Sequence, residues 1–192
     1  MPTQVAGPPP TAEETWLQAA QRGDRAAFGH IVQRYHRLIL SLAYRLGGDA
    51  HLAEDVAQDT FLKAWRYLPD FRPEYDHSLR AWLCRIAHNR TIDLLRQQRP
   101  HTDLPLGHPT AAPSPLRQAL TAETTLEVQA AIRRLPELSR TALILREYEE
   151  MSYAEIAAVL DIPIGTVMSR LYHARRRLAE ELAPLLHTGA LL

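Results

Sequence analysis

The stretch SYAEIAAVLDIPIGTVMSRLYHARRRL, residues 152–178, decides the fold of the C-terminal part of this chain. It opens with a Ser-x-x-Glu capping box, which predicts that a helix begins at Ser152. Ala157, Asp161 and Val167 then occupy the small, turn and apolar positions of a helix-turn-helix unit. Asp161 suits the turn because aspartate tolerates the left-handed backbone conformation found there. The stretch therefore predicts two short helices that cross closely.

The second helix of this unit has a basic exposed face. From Ile164 to Arg177 the chain carries four arginines and no acidic residue. In helix-turn-helix proteins the N-terminal part of this helix reads base edges, and nearby arginines contact phosphates. A generic pair of bundle helices is the alternative interpretation, but it leaves the arginine cluster unexplained. The pattern therefore favours a unit that binds double-stranded DNA.

Composition limits the class of protein. The chain has 192 residues, enough for one medium domain or two small ones, and its 46% of apolar residues can form a core. Twenty-two basic and twenty-two acidic residues give a formal net charge of zero, which excludes a uniformly basic nucleic-acid coat but not local basic patches. The single cysteine, Cys84, excludes an intrachain disulfide framework and a Cys-rich zinc finger, and it fits a reducing cytosol.

No segment resembles a targeting signal or a membrane anchor. Residues 1–10 lack the basic and apolar regions of a signal peptide. The most apolar stretch, Leu38 to Leu46, is interrupted by Ser41 and Arg45 and is much shorter than the ~18–20 residues that a membrane span needs. We therefore expect a cytoplasmic protein with no membrane contact of its own.

Helical periodicity extends over most of the chain, and strand signals are almost absent. Five of the fourteen prolines lie between Pro100 and Pro115, in a segment with few large apolar residues that is predicted to be a linker. The predicted fold class is all-α, with two small helical domains joined by a Pro-rich linker, the C-terminal one a helix-turn-helix. The predicted divisions are an N-terminal tail with the start of the first helix (1–19), a first domain (20–99), the linker (100–122), a second domain (123–186) and a tail (187–192).

Caps and helix breakers place the individual helices. Asp24 is predicted to cap a helix that runs to about Leu46 and is closed by Gly47 and Gly48. The other predicted helices run from near Asp49 to before Pro69, from Asp76 or Ser78 to about Gln98, and over residues 123–134, 137–149, 152–160 and 163–182.

The helix predicted over residues 50–68 has two distinct faces. An apolar stripe with i, i+3, i+4, i+7 spacing is predicted to face the core: Ala53, Val56, Ala57, Thr60, Phe61, Ala64 and Leu68. The opposite stripe contains Asp55, Gln58, Asp59, Leu62 and Arg66. A solvated face is the simplest interpretation of it, but Leu62 at its centre favours docking of a helix with basic residues. Asp55 and Asp59 lack a third ligand nearby, so a metal or catalytic pair is not predicted.

Residues 80–99 combine basic and aromatic side chains. They include five arginines and one acid, Asp93. Trp82 lies on this helix, and Phe71 and Tyr75 lie in the preceding loop. Arginines attract phosphates, and aromatic rings stack on unpaired bases with about 1–3 kcal/mol each, so a single-stranded nucleic-acid surface is predicted. Trp82 also has the spacing of a core residue, and that interpretation stays open.

Three segments in this order resemble the extracytoplasmic-function (ECF) sigma factors of bacterial RNA polymerase. They are AEDVAQDTFLKAW (53–65), LRAWLCRIAHNRTIDLLR (79–96) and the helix-turn-helix stretch 152–178. The resemblance, which covers about residues 20–186, implies a transcription initiation factor that binds core polymerase, directs it to promoters and opens the minus-ten element. It implies no catalytic residue, metal or cofactor in this chain. A helix-turn-helix regulator that does not bind polymerase is the alternative.

The resemblance also implies roles for individual residues. Contacts to core polymerase, on the β′ clamp helices and with the β subunit as a further partner, fall on Asp55, Gln58, Asp59 and Leu62. Contacts to melted minus-ten DNA fall on Phe71, Tyr75, Trp82, Arg85, His88, Asn89 and Arg90. Contacts to the minus-thirty-five element fall on Arg146, Thr166, Met168, Ser169, Arg170, Tyr172, His173, Arg175 and Arg176.

Two residues depart from the family pattern. Met168 and His173 stand where basic residues are common, so the resemblance does not imply a particular minus-thirty-five sequence. No additional C-terminal domain is recognised, so regulation is expected from a separate anti-sigma factor.

Overall fold

The structure is a computed structural model, and it describes residues 11–73, 78–97 and 127–187. Within these ranges the regular elements are helices, including one short 3-10 helix, Leu68–Asp70. The α-helices are α1 (Ala12–Gln21), α2 (Arg25–Gly47), α3 (Ala50–Tyr67), α4 (Leu79–Gln97), α5 (127–134), α6 (Glu137–Glu147), α7 (Tyr153–Leu160) and α8 (Ile164–His187). The predicted all-α class is confirmed. Tyr75 and the predicted linker (100–122) lie outside the described residues.

Side-chain caps begin the N-terminal helices where the sequence predicts. The Asp24 carboxylate accepts hydrogen bonds from two backbone amides of α2, at 2.8 and 3.1 Å. Asp49 accepts one from the backbone of Leu52 at 2.8 Å and begins α3. Gly48 follows α2 with a φ of 78°, a left-handed conformation that glycine adopts without strain.

The helices α1 to α4 form an N-terminal bundle. The apolar stripe predicted on α3 is buried, and this helix packs against α2 and α4. α1 packs on α2 and buries Leu17 and Ala20, so α1 belongs to this bundle.

The helices α5 to α8 form the C-terminal part, which contains the predicted helix-turn-helix. Its capping box is present, because the Glu155 amide donates to the Ser152 hydroxyl at 3.2 Å and the Ser152 amide donates to the Glu155 carboxylate at 2.9 Å. Asp161 follows α7 with a φ of 53°, the predicted left-handed turn. Val167 and Leu171 of α8 are buried where this helix crosses α7.

Two predicted helix ends differ from the structure. α6 ends at Glu147 rather than near residue 149, because the backbone amide of Met151 bonds back to the Leu145 carbonyl at 2.9 Å and Glu150 takes a φ of 52°. α8 continues to His187, beyond the predicted end at 182. The predicted end lies just before Pro184. Proline removes one backbone hydrogen bond, but α8 continues past it.

The N-terminal bundle and the C-terminal part pack directly on each other. α4 contacts α7, and α2 contacts α6. Buried residues of both parts, among them Leu83 on α4 and Ile144 on α6, belong to one apolar cluster. We call this packing the interdomain contact. The sequence analysis predicted two joined domains but not how they pack.

Candidate partner-binding and nucleic-acid surfaces

The outward face of α3 carries the residues predicted to dock a partner helix. Asp55, Gln58 and Leu62 are exposed and lie three or four residues apart, so they share one face. Leu62 is 62% exposed, although leucine is among the residues most often found in cores. A single exposed leucine is common on protein surfaces, so its significance depends on the apolar area beside it.

An open groove of about 680 Å³ lies beside this face, between α2 and α3. Phe28 and Val32 of α2 and Trp65 of α3 line it, together with the three residues just named. The rings of Phe28 and Trp65 pack with their centroids 4.9 Å apart. The sequence analysis did not identify these groove residues, because their helical spacing alone does not distinguish a groove from a core.

Asp59 differs from its neighbours on α3 because its carboxylate is already paired. Arg90 of α4 donates to it through Nε at 2.6 Å, and the two side chains are 41% and 36% exposed. The sequence analysis assigned these residues to different partners, and the structure brings them together. An ion pair this exposed contributes at most about 1 kcal/mol, so either residue can leave it for another partner.

Two aromatic residues predicted to stack on unpaired bases are buried instead. Phe71 is 1% exposed and Trp82 is 8% exposed, and their ring centroids lie 4.8 Å apart. The side-chain amide of Gln21 on α1 donates to the backbone carbonyls of Leu68 and Phe71, at 3.1 and 2.9 Å, and fixes the chain there. In this conformation both rings belong to the core of the N-terminal bundle. For Trp82, this is the core position that its spacing in the sequence left open.

His88, another predicted minus-ten residue, is buried at the interdomain contact. Its Nδ1 lies 3.4 Å from the hydroxyl oxygen of Thr141 on α6. Burial lowers the pKa of His88 to about 4, the nearby Arg140 and Arg96 act in the same direction, and Glu137 opposes them. The imidazole is therefore neutral near pH 7, and it can reach DNA only if the two parts separate.

Cys84 lies one turn before His88 on α4 and is fully buried. Burial raises the pKa of its thiol to about 12, so the reactive thiolate is not populated at physiological pH. The cysteine acts here as a small apolar side chain.

Polar groups reinforce the edge of the interdomain contact. Arg80 of α4 donates to the backbone carbonyl of Glu149, whose carboxylate accepts a hydrogen bond from the Ser41 hydroxyl at 2.9 Å. The guanidinium carbon of Arg45 lies 3.7 Å from the ring centroid of Tyr148. These pairs were not predictable from the sequence, because their members are far apart in the chain and follow no local pattern.

The accessible part of α4 is polar. Asn89 is exposed, and Arg85 and Arg90 are partly exposed. An amide can bond to a base edge, and guanidinium groups can contact phosphates. Of the predicted minus-ten residues described by the structure, these three are placed where nucleic acid can reach them.

The N-terminal turns of α8 present the predicted recognition face. Met168, Ser169, Tyr172 and His173 are exposed, and Thr166 is partly exposed. The Ser169 hydroxyl donates to the Thr166 backbone carbonyl at 3.0 Å, and the rings of Tyr172 and His173 meet edge to face with centroids 5.3 Å apart. The structure therefore brings these five predicted residues together on the outside of the helix-turn-helix.

Two of the predicted phosphate-binding arginines pair with acids of the same chain. Arg175 donates to Glu147 through two nitrogens, at 3.1 and 2.7 Å, and Arg176 donates to Glu180 at 2.9 Å. The hydrogen bond to Glu147 raises the pKa of Arg175, which stays charged. These pairs are exposed, so they are weak and can exchange for phosphate.

Arg146 and Arg170 are more enclosed. Arg146 donates to the backbone carbonyl of Met151 at 2.8 Å, and its guanidinium lies 5.2 Å from the ring centroid of Tyr153. This places Arg146 as a brace between α6 and α7. Arg170 is half-buried, and its Nε is enclosed without a hydrogen-bond partner among the described residues.

Among residues 11–73, 78–97 and 127–187, no group of three His, Cys, Asp or Glu side chains could hold a metal ion. No helix in the described part of the chain is long and apolar enough to cross a membrane.

Comparisons of the sequence relate these surfaces to known proteins. Residues 31–101 match the model of Sigma-70 region 2, and residues 125–178 match that of Sigma-70 region 4. The chain is 40% identical to the RNA polymerase sigma-H factor of Pseudomonas aeruginosa, over 91% of this chain and 95% of that protein. It is 32% identical to the ECF RNA polymerase sigma factor SigW of Bacillus subtilis, over 88% of this chain and 96% of that protein.

Solved structures share the fold. CnrH, determined in complex with the cytosolic domain of CnrY, matches with a TM-score of 0.72 and 31% identity, over 91% of this chain and 99% of CnrH. The sigma factor RpoE of Bartonella quintana, determined with the anti-sigma factor NepR, matches with a TM-score of 0.66 and 27% identity, over 81% of this chain and 96% of RpoE. Since the relatives match over nearly their whole length, and α3, α4 and most of α8 lie within the matched regions, this chain belongs to the ECF branch of the sigma-70 family of RNA polymerase sigma factors.

Proposed function

We propose that this protein is a bacterial transcription initiation factor that binds core RNA polymerase, directs it to specific promoters and opens the minus-ten element. Residues 20–99, together with the preceding part of α1, form the unit for polymerase and minus-ten DNA. Residues 123–186 form the unit for the minus-thirty-five element, and residues 100–122 link the two units. The polymerase performs the chemistry, so this protein is not an enzyme. It contributes binding energy and strand separation, and it acts in the cytoplasm.

The observation that carries this proposal is the exposed face of α3 beside an apolar groove, on the same chain as a helix-turn-helix. Leu62 and the groove offer apolar area, while Asp55 and Gln58 offer charge and hydrogen bonds. Such a surface fits a helix with basic residues, which we assign to the β′ clamp, with the β subunit as a further contact. A DNA-binding protein that acts alone does not require an apolar groove beside an acidic face.

Asp59 and Arg90 connect polymerase binding to DNA binding. Each is held by the other in the ion pair between α3 and α4. If polymerase draws Asp59 away, Arg90 becomes available to a DNA phosphate. The two binding events then favour each other, because they share the cost of breaking one weak pair.

For the minus-ten element, the accessible polar residues of α4 make the first contacts. Asn89 can bond to a base edge, and Arg85 and Arg90 can contact phosphates. The remaining proposed contacts are Phe71, Tyr75, Trp82 and His88. The three of these that the structure describes are buried, so they take part only after a conformational change that exposes them.

For the minus-thirty-five element, α8 enters the major groove with its N-terminal turns. The proposed base-reading residues are Thr166, Met168, Ser169, Arg170, Tyr172 and His173. The proposed phosphate contacts are Arg146, Arg175 and Arg176. Arg175 and Arg176 support this role best, because their exposed acidic partners can be replaced by phosphate.

Both promoter elements can be held at once. A linker of ~23 residues spans up to ~70 Å when it is extended at ~3.1 Å per residue. That length covers about two turns of DNA at ~34 Å each. Because both units are tethered to one polymerase, the second DNA contact is intramolecular, so each unit can bind weakly alone.

An anti-sigma factor is the proposed regulator. Support comes from the relative RpoE, which was determined in complex with the anti-sigma factor NepR. The α3 face and the exposed side of α8 are surfaces that such a protein has to cover to prevent initiation.

Run-off transcription with bacterial core polymerase and a pool of promoter fragments tests the proposal. Discrete start sites that require this protein are expected. Asp55→Arg should abolish them, because it places a cation opposite a basic partner helix. The same variant should bind core polymerase at least about tenfold more weakly. Glu127→Arg, which changes an exposed acid outside α3, is the matched control and should behave as wild type.

Other outcomes identify other functions. Stable binding to core polymerase without transcripts at any promoter indicates a regulator that occupies the sigma site. Binding to DNA without transcripts or polymerase binding establishes the helix-turn-helix regulator instead.

A further inference from the structure

An apolar stripe runs along the exposed side of α8. Ile164, Met168 and Tyr172 follow one another at intervals of four residues and are 45%, 50% and 62% exposed. Residues four apart share one face of a helix, so these side chains line up over the first turns. In a helix-turn-helix these turns lie against the bases of the major groove. The stripe therefore directs apolar groups towards the base edges.

Two of the polar side chains beside the stripe, Ser169 and Arg170, are partly withdrawn from the surface. The Ser169 hydroxyl donates a hydrogen bond to the Thr166 carbonyl. The Arg170 Nε is enclosed by the protein, so this guanidinium is partly withdrawn from the surface. Arg175 and Arg176 lie further from the N-terminus of the helix, and they pair with Glu147 of α6 and Glu180 of α8. The first turns of α8 thus present an exposed apolar stripe beside two polar side chains that are partly withdrawn.

In the major groove only one base presents an apolar group. Thymine carries a C5-methyl there, whereas guanine, adenine and cytosine present hydrogen-bonding atoms at the corresponding edge. Methionine suits contact with a methyl group because its unbranched thioether chain adapts to the shape of an apolar neighbour. Contact between the two removes water from both.

We propose that Met168, with Ile164 one turn before it, reads thymine in the minus-thirty-five element by apolar contact with C5-methyl groups. This inference rests on the proposed function, because it needs α8 in the major groove. At the base pair that Met168 contacts, the sequence preference then comes from hydrophobic contact instead of an arginine–guanine pair. Loss of one such methyl contact is expected to weaken binding about fourfold, since burial of one methyl-sized group has about that effect.

Deoxyuridine provides the test, because it differs from thymidine only in lacking the methyl group. The holoenzyme, assembled from core polymerase and this protein, first selects transcribed promoters from a randomised pool. In one selected promoter each thymine of the upstream element is then replaced singly by deoxyuridine, and holoenzyme binding is measured. Wild type and Met168→Leu should bind about fourfold more weakly at one or two positions. Met168→Gln, similar in length but polar, should show no such penalty there.

A second selection with the Met168→Arg holoenzyme should replace thymine by guanine at the affected position, because arginine pairs with guanine in the major groove. Tyr67→Gln, which changes an exposed aromatic residue on α3, is the control and should leave the deoxyuridine penalty unchanged.

The proposal fails if deoxyuridine has no effect at any position, or if the selected elements lack thymine, while transcription still requires the protein. It also fails if Met168→Gln keeps the full penalty, because another residue then reads the methyl group. Failure of the proposed function is distinguishable, since the wild-type holoenzyme would then select no promoters at all.

Discussion

His88 of α4 and Thr141 of α6 meet across the interdomain contact, with the imidazole Nδ1 3.4 Å from the hydroxyl oxygen. The Thr141 hydroxyl donates to the Glu137 backbone carbonyl at 3.0 Å, so it offers only lone pairs to the imidazole. A neutral histidine suits this buried position. A charged one would be desolvated, with Arg96 and Arg140 nearby.

Acidification is therefore expected to destabilise the folded protein. The pKa of His88 is lowered to about 4 in the folded state, against an ordinary value of 6.5 in an unfolded chain. Above pH 6.5 both states are neutral, and the contribution to stability is fully present. As the pH falls from 6.5 towards about 4, the unfolded state takes up the proton first, so the free energy of unfolding decreases by up to about 3 kcal/mol.

Urea unfolding of the full chain near pH 7.5 and pH 5 measures this effect. The wild-type midpoint should fall clearly at the lower pH. His88→Gln should fall less, although it starts from a lower stability because a buried contact is changed. His51→Gln, at an exposed position, is the control, and its urea midpoint should fall as much as that of wild type. An equal fall in the urea midpoint for His88→Gln and wild type would show that His88 is not the group responsible.

Arg45 and Tyr148 are expected to couple the N-terminal bundle to the C-terminal part. The guanidinium of Arg45 lies 3.7 Å from the ring centroid, at the edge of the interdomain contact. A double-mutant cycle with Arg45→Ala and Tyr148→Ala should give a coupling of about 1 kcal/mol, the usual size of an exposed cation–π pair. Either single variant should also speed hydrogen exchange where α2 and α6 meet. Additive effects of the two changes would show that the pair contributes nothing.

Local signals predicted most of the fold. The caps at Asp24, Asp49 and Ser152 and the turn at Asp161 act within one or two helical turns, so they are legible in sequence. The two faces of α3 were predicted for the same reason, because a helical period fixes which residues share a face. The Pro-rich segment from Pro100 to Pro115 divided these local units into two predicted domains.

Contacts between distant segments were not predictable. Whether Trp82 stacks on a base or packs in the core depends on its contact with Phe71, whose backbone is held by Gln21 of α1, and no local pattern specifies that arrangement. His88 is buried because α6 packs over it, and the partner Thr141 lies 53 residues away. The Asp59–Arg90 pair likewise joins two faces that local patterns predicted separately.

Leu62 is expected to contribute to polymerase binding without contributing to stability. It is 62% exposed, so Leu62→Ser should change the free energy of unfolding by no more than about 0.5 kcal/mol. Affinity for core polymerase should fall at least about tenfold, because the change removes the apolar centre of a docking surface.

Titration of labelled core polymerase with each variant measures that affinity, and thermal unfolding measures stability. Tyr67→Ser is the matched control, since Tyr67 is 48% exposed on the same helix but lies about 140° around it. It should bind core polymerase as wild type does. A loss of affinity that is the same for both variants would indicate a nonspecific effect of removing surface apolar area.

Asp161 is expected to set the geometry of the helix-turn-helix through its backbone conformation. Its φ of 53° and ψ of 51° lie in the left-handed region, which glycine adopts freely and β-branched residues avoid. Asp161→Gly should therefore keep the stability within about 0.5 kcal/mol of wild type, whereas Asp161→Val should lower it by roughly 1–2 kcal/mol. Thermal unfolding of both variants separates these outcomes. The valine variant should also bind promoter DNA more weakly in the holoenzyme, because the turn fixes the angle at which α8 leaves α7. Equal stability of the two variants would show that the turn relaxes to another conformation, and α8 would then owe its orientation to the packing of Val167 and Leu171 alone.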